Sequence, residues 1–123
     1  MNEEKGSEKI GTIFYKANQG NINLIVYSIN LLEIYYYLIR KQGIKQADTI
    51  LNYINKLFIT IEYNFNEELL KIAGKLKSNY KISLADSVAA SLSISKEAFL
   101  LTSDHHEFEV LQKRKELNIE WIR

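Results

Sequence analysis

The sequence predicts an α/β fold of three layers, with a central, mostly parallel sheet covered by helices on both faces. Two observations predict it. Short, nearly all-apolar runs with β-branched members alternate with longer amphipathic segments, as strands buried on both faces alternate with crossover helices. No repeat, low-complexity stretch or linker interrupts the 123 residues, so the chain reads as a single domain over 1–123, long enough to bury a core.

The elements follow in order. Ile10, Ile13, Phe14 and Ala17 recur at helical spacing and predict a helix over 3–19, ended by Gly20-Asn21. Residues 23–27 form the first apolar run, a buried strand. Ser28 is placed to cap a helix over 29–42 with Ile29, Leu32, Tyr35, Tyr36 and Ile39 inward, closed by Gly43. A helix over 44–56 turns Ala47, Ile50, Leu51 and Ile54 inward, and 57–61 is the second strand. Asn64 or Asn66 caps a helix to about 79, with Leu69, Ile72, Ala73 and Leu76 on one side. Ser83 starts a helix to about 96, 98–102 is the third strand, Asp104 opens a helix to about 115, and 119–122 is a final strand. The chain thus opens with a helix, although a sheet lacking its first central strand leaves backbone groups unpaired where they should be covered.

Bulk chemistry narrows the function. With no cysteine, disulfides and thiolate metal sites are excluded, and a cytoplasmic location fits. No apolar run approaches the roughly 20 residues that cross a bilayer, so no membrane role is expected, and the polar start over 1–7 does not resemble a secretory signal. Net charge is +1, from 16 basic and 15 acidic residues, so any nucleic-acid contact must be local, a basic rim around a site. Lys75, Lys77, Lys81, Lys113, Arg114 and Lys115 are candidates for that rim, and equally for the solvated faces of helices.

Three carboxylates hold equivalent topological places. Glu33 interrupts an apolar helical run after a strand, Asp86 lies in the first turn of another helix, and Asp104 directly follows a strand. Ligands of parallel sheets bind beyond the carboxyl ends of the strands. If strand order gathers the three acids there, each pair at about 5 Å and an effective dielectric near 20 repels by on the order of 3 kcal/mol. A hard cation, Mg²⁺ or Mn²⁺, offsets that cost through oxygen ligands. Each acid also has a bland role: Ser83 with Asp86 has capping-box spacing, Asp104 with Glu107 has the same, and Glu33 suits a polar helix face beside Tyr37 and Arg40. His105 and His106 point about 100° apart on a helix and cannot chelate one ion together. A nucleophilic serine elbow and a glycine-rich phosphate loop are both missing from the sequence.

Three segments, in this order, resemble the acidic motifs of PIN-domain proteins of the VapC toxin type. They are Ser28-Ile29-Asn30-Leu31-Leu32-Glu33, Ser83-Leu84-Ala85-Asp86-Ser87-Val88-Ala89-Ala90 and Leu101-Thr102-Ser103-Asp104-His105-His106-Glu107-Phe108. The similarity continues to the closing Asn118-Ile119-Glu120-Trp121-Ile122. The resemblance implies a PIN fold, a Mg²⁺- or Mn²⁺-dependent endoribonuclease that leaves a phosphate and a hydroxyl end, and the toxin role in a toxin–antitoxin pair. Residue by residue it makes Glu33, Asp86 and Asp104 the catalytic metal-site acids, Glu107 an accessory ligand and Ser103 a supporting hydroxyl. Such a cation acidifies a bound water and neutralises charge developing on the scissile phosphate. The implied partners are an RNA substrate, an antitoxin protein and a second copy of the chain.

The family's opening strand, ending in an aspartate followed by Thr or Ser, has no counterpart in this sequence, which would make it an N-terminally truncated PIN-like domain. Three alternatives stay open: an active nuclease, an impaired relative that binds a partner through the groove near Tyr35, Tyr36 or Tyr37, and a chain whose missing strand comes from dimerisation.

Overall fold

The computed structural model describes the backbone of residues 2–102 and 105–121, and their side chains apart from those of residues 2–8, 10 and 106. Its elements are α1 (Asn2–Asn18), β1 (Leu24–Tyr27), α2 (Ser28–Gln42), α3 (Ile44–Lys56), β2 (Ile59–Glu62), α4 (Glu67–Asn79), α5 (Leu84–Ser95), β3 (Phe99–Thr102), α6 (His105–Lys113) and β4 (Asn118–Trp121). Pairing is parallel throughout, as the apolar runs predict. Among the described residues the strands form two two-stranded sheets, β1 with β2 and β3 with β4. The chain divides into two compact units, Gly11–Tyr63 and Met1–Ile10 with Asn64–Arg123.

In the unit Gly11–Tyr63, Leu24 to Tyr27 of β1 pair with Ile59 to Glu62 of β2. The helix α2 packs on β1 and α3, and α3 packs on β2. Ala17, Tyr27, Leu31 and Ala47 are buried. One residue separates the two helices. The Gly43 N–H donates to the Ile39 carbonyl (2.9 Å), while the Gly43 carbonyl accepts from the Ala47 N–H (3.1 Å). Its φ of 88° and ψ of 164° belong to a region essentially reserved for glycine.

Three local expectations are corrected in this unit. Ser28 does not cap α2: Tyr27 holds the extended cap position without a side-chain bond, and Ser28 is already the first helical residue, one place too late to cap. The inward face of α2 is centred on Leu31 and includes half-buried Tyr35, Leu38 and Ile39, whereas Leu32 and Tyr36 are exposed at 61% and 55%. Apolar residues surround this helix, so periodicity alone did not select the face. β2 begins at Ile59 because the Leu57 N–H is spent on the Ile54 carbonyl (3.1 Å), closing α3.

In the other unit, Phe99 to Thr102 of β3 pair with Asn118 to Trp121 of β4. The N-cap of α4 is Asn66, whose side chain accepts from the Leu69 N–H (2.9 Å), with Glu67 and Glu68 at the positive end of the helix dipole and Lys77 at the negative end. Leu69, Ala73 and Leu76 are buried as expected, and α4 packs on α5, which in turn packs on β3. The core gathers Leu76, Ile82, Ala90, Phe108, Leu111, Leu117 and Ile119, each large apolar side chain contributing about 1.5–3 kcal/mol by leaving water. Ser87 and Ser91 are fully buried on α5, their hydroxyls donating to the Leu84 and Val88 carbonyls (2.6 and 2.7 Å).

Helices α5 and α6 end alike. The Ala98 N–H reaches back to the Ser93 carbonyl and the Glu116 N–H to the Leu111 carbonyl (both 2.9 Å), a Schellman closure with Glu97 (φ 53°) and Lys115 (φ 58°) in the left-handed position. At the end of α1 the same closure uses Gly20 (φ 78°).

Candidate metal centre

The acid of α5 sits in a worked helix start. Ser83, extended at φ −67° and ψ 159°, accepts from the Asp86 N–H through its Oγ (3.1 Å). The expected capping box is therefore half made by its own members. For the other half, the Ser83 N–H donates to Oε2 of Glu107 on α6 (3.4 Å), an acceptor 24 residues further along the chain. This bond ties the first turn of α6 to the start of α5. Since α6 follows β3, the start of α5 and Asp86 stand near the carboxyl end of β3, where parallel α/β sheets place ligands. Asp86 and Glu107 are both half-buried. Both carboxylates lie in first turns, at the positive ends of helix dipoles.

Of the sequence-predicted site residues, the structure thus brings Asp86 and Glu107 into one neighbourhood, through Ser83. Glu33 lies in the other unit, exposed on α2. Asp104 and Ser103 lie outside the described residues. Among the described residues no group of three or more His, Asp or Glu side chains is placed to hold a metal ion. Carboxylate oxygens are nevertheless the donors that Mg²⁺ or Mn²⁺ selects, so the chemistry of the residues present fits a hard cation.

Sequence reasoning missed an aromatic pair at this end of the unit. His105, at the start of α6, stacks on Trp121 at the end of β4, with centroids 4.0 Å apart and planes 10° from parallel. His105 Nδ1 also lies 3.8 Å from Glu109 Oε1, and the Trp121 Nε1–H donates to Gln112 Oε1 (3.2 Å). The lone tryptophan was the available signal, because a large aromatic with a polar edge at a strand end needs a partner. Lys9 also helps to hold this edge, pairing with Glu120 (2.9 Å) and donating to the Trp121 carbonyl.

Two members of the expected basic rim have structural tasks. Lys77 Nζ donates to the Ile82 carbonyl (2.7 Å), closing the α4–α5 connection, and Arg114 stands over the Tyr80 ring at 6.0 Å. Lys75 lies along a shallow depression with Leu70, Lys71, Gly74, Ser78 and Asn79.

Two tyrosines have raised pKa values in the unit that carries Glu33. Burial, then the charge of Glu62 opposite it in the ladder, raises Tyr27. Tyr35 is raised first by its hydroxyl donating to Asp48 Oδ1 (2.5 Å), a bond that links α2 to α3.

Fold and site define the class: an α/β protein with parallel strand pairs and acids in the opening turns of helices beyond them. Comparison with family models makes the class specific. The PIN domain model matches residues 2–114, and the chain belongs to the PIN-domain family. Among solved structures, a chain of the VapBC2 complex from Rickettsia felis, bound to a DNA fragment from its promoter, is similar at a TM-score of 0.71. That match has 20% identity and covers 91% of this chain and 83% of the other. A chain of the DNA-bound VapBC complex from Salmonella typhimurium is similar at a TM-score of 0.71 and 17% identity, over 94% and 86% of the two chains. These likenesses show a shared fold. No curated protein matches the chain significantly.

Proposed function

We propose that the protein is a divalent-metal-dependent endoribonuclease of the VapC type, the toxin of a toxin–antitoxin pair, acting in the cytoplasm. The observation that carries the reading is the joined start of α5 and α6, where Ser83 bonds both the Asp86 amide and the Glu107 carboxylate. It stands in a chain of the PIN family whose fold is shared with chains of two VapBC complexes. Because those solved structures are VapBC assemblies, an antitoxin protein is the partner we assign, with a second copy of the chain as a further one.

In this reading Asp86 and Asp104 hold Mg²⁺ or Mn²⁺ with Ser103 in support, and Glu33 is the further acid that the family's motifs assign to metal binding. The cation supplies an acidified water and neutralises charge on the scissile phosphate. The chain's own task is positional. Ser83 fixes the opening turn of α5 and so the backbone of Asp86. Glu107 anchors the Ser83 amide, which makes it a positioning residue for that turn. RNA is the substrate class, taken as a single-stranded loop whose bases can be splayed apart.

The test is cleavage of a labelled single-stranded RNA with Mn²⁺, for the wild-type chain and for Asp86→Asn and Asp104→Asn. Wild-type cleavage that EDTA stops and both variants lose supports the proposal. If the doubly substituted chain cleaves as fast as wild type, the acids are not the site.

A further inference from the structure

The exposed face of α2 is unlike the exposed face of an ordinary amphipathic helix. At about 100° per residue, Glu33, Tyr36, Tyr37, Arg40 and Lys41 fall within an arc of roughly 140° opposite the buried Leu31. All five are exposed, the two tyrosines at 55% and 58%. Each ring carries a cation one turn further on: Arg40 stands 5.9 Å from the Tyr36 centroid and Lys41 5.7 Å from that of Tyr37. The strip runs about 12 Å along the helix from Glu33 to Lys41.

We infer that this strip binds single-stranded RNA, with bases stacking on Tyr36 and Tyr37 and phosphates meeting Arg40 and Lys41. The inference rests on the nuclease reading above and names the substrate track that leads away from Glu33. Aromatic faces interleaved with cations are what an unpaired strand demands: a π-face for each base and a positive group for each phosphate. An apolar partner helix suits the strip less well, because seating it strips water from two cations with no counter-charge in return. Leu32 and Ile34 border the strip, exposed at 61% and 45%.

The test uses the full chain in EDTA, so that binding is read without cleavage. Anisotropy of a labelled oligouridine is followed at several salt concentrations. Tyr36→Ala/Tyr37→Ala is expected to weaken binding at least tenfold, since one stacked base is worth about 1–3 kcal/mol by alanine substitution. Tyr36→Phe/Tyr37→Phe keeps the rings and retains the affinity. Arg40→Gln/Lys41→Gln flattens the salt slope by about 1.4, two phosphate contacts at about 0.7 each on a single strand. Tyr53→Ala, an exposed tyrosine on α3, is the control and leaves binding unchanged.

Variants that bind like wild type, in a chain that still cleaves RNA with Mn²⁺, overturn the track and leave the nuclease reading standing. A wild-type chain that neither binds nor cleaves RNA overturns both. Unchanged RNA affinity together with loss of self-association in the tyrosine variants would make the strip a protein interface and likewise overturn the inference.

Discussion

Glu107→Ala separates the anchoring role of Glu107 from the accessory metal-ligand role proposed for it. Glu107 accepts from the Ser83 N–H at 3.4 Å, a long bond for its kind, and is half-buried. Hydrogen bonds to charged groups contribute about 1.5–3 kcal/mol at good geometry, so a stretched one contributes about 1. The carboxylate also faces the positive end of α6, worth about 0.3–1 kcal/mol. Glu107→Ala should therefore cost about 1.3–2 kcal/mol in EDTA. Glu107→Gln keeps an acceptor and loses only the charge, so it should cost about 0.5 kcal/mol. Urea unfolding followed by far-UV circular dichroism reads both, with the m-value unchanged. At about 4 °C per kcal/mol for a chain of this size, thermal melts should fall by about 5–8 °C and 2 °C respectively. An alanine variant within about 0.3 kcal/mol of wild type, or a glutamine variant as costly as alanine, would refute the anchoring role.

Three further outcomes follow from local geometry. Gly43→Ala should cost about 1–3 kcal/mol in urea unfolding, because φ 88° with ψ 164° excludes a side chain although no neighbour lies within 4 Å of an added Cβ. Lys115→Gly should raise stability by about 0.5–1 kcal/mol in the same assay, since it relieves a left-handed conformation (φ 58°) at the Schellman position after α6. Tyr35 has a pKa raised chiefly by donating to Asp48, so its contribution is complete below the unfolded tyrosine value near 10 and is lost as pH rises through the higher folded value. Wild-type stability should fall above about pH 10 more steeply than that of Tyr35→Phe, as read by urea unfolding across that range.

Much of the fold was legible because strands buried on both faces must be apolar throughout. The runs ending at Tyr27 and Thr102 announced β1 and β3 nearly to the residue. Asn66 and Ser83 announced their helices because a short side-chain oxygen can serve amides that a helix start leaves orphaned. The inward face of α2 was illegible, since Leu31, Leu32, Ile34 and Tyr36 present apolar surface in every direction, and only packing on β1 and α3 selects among them. The place of Asp86 in a first turn was legible. Its link to α6 was not, because Ser83 and Glu107 are 24 residues apart and the capping-box spacing pointed to Asp86 itself as the reciprocal acceptor. The stacking of His105 on Trp121 was hidden for the same reason: local spacing carries no record of which strand end meets which helix start.

The claim that acids of this chain share a hard cation is tested most directly by titrating Mn²⁺ into the 123-residue chain in a calorimeter. The account predicts saturable binding of one ion at micromolar affinity, weakened at least tenfold in Asp86→Asn and in Asp104→Asn and unaffected by Glu116→Gln on the exposed turn after α6. Absence of binding in the wild-type chain, or binding that survives both aspartate substitutions undiminished, would contradict it.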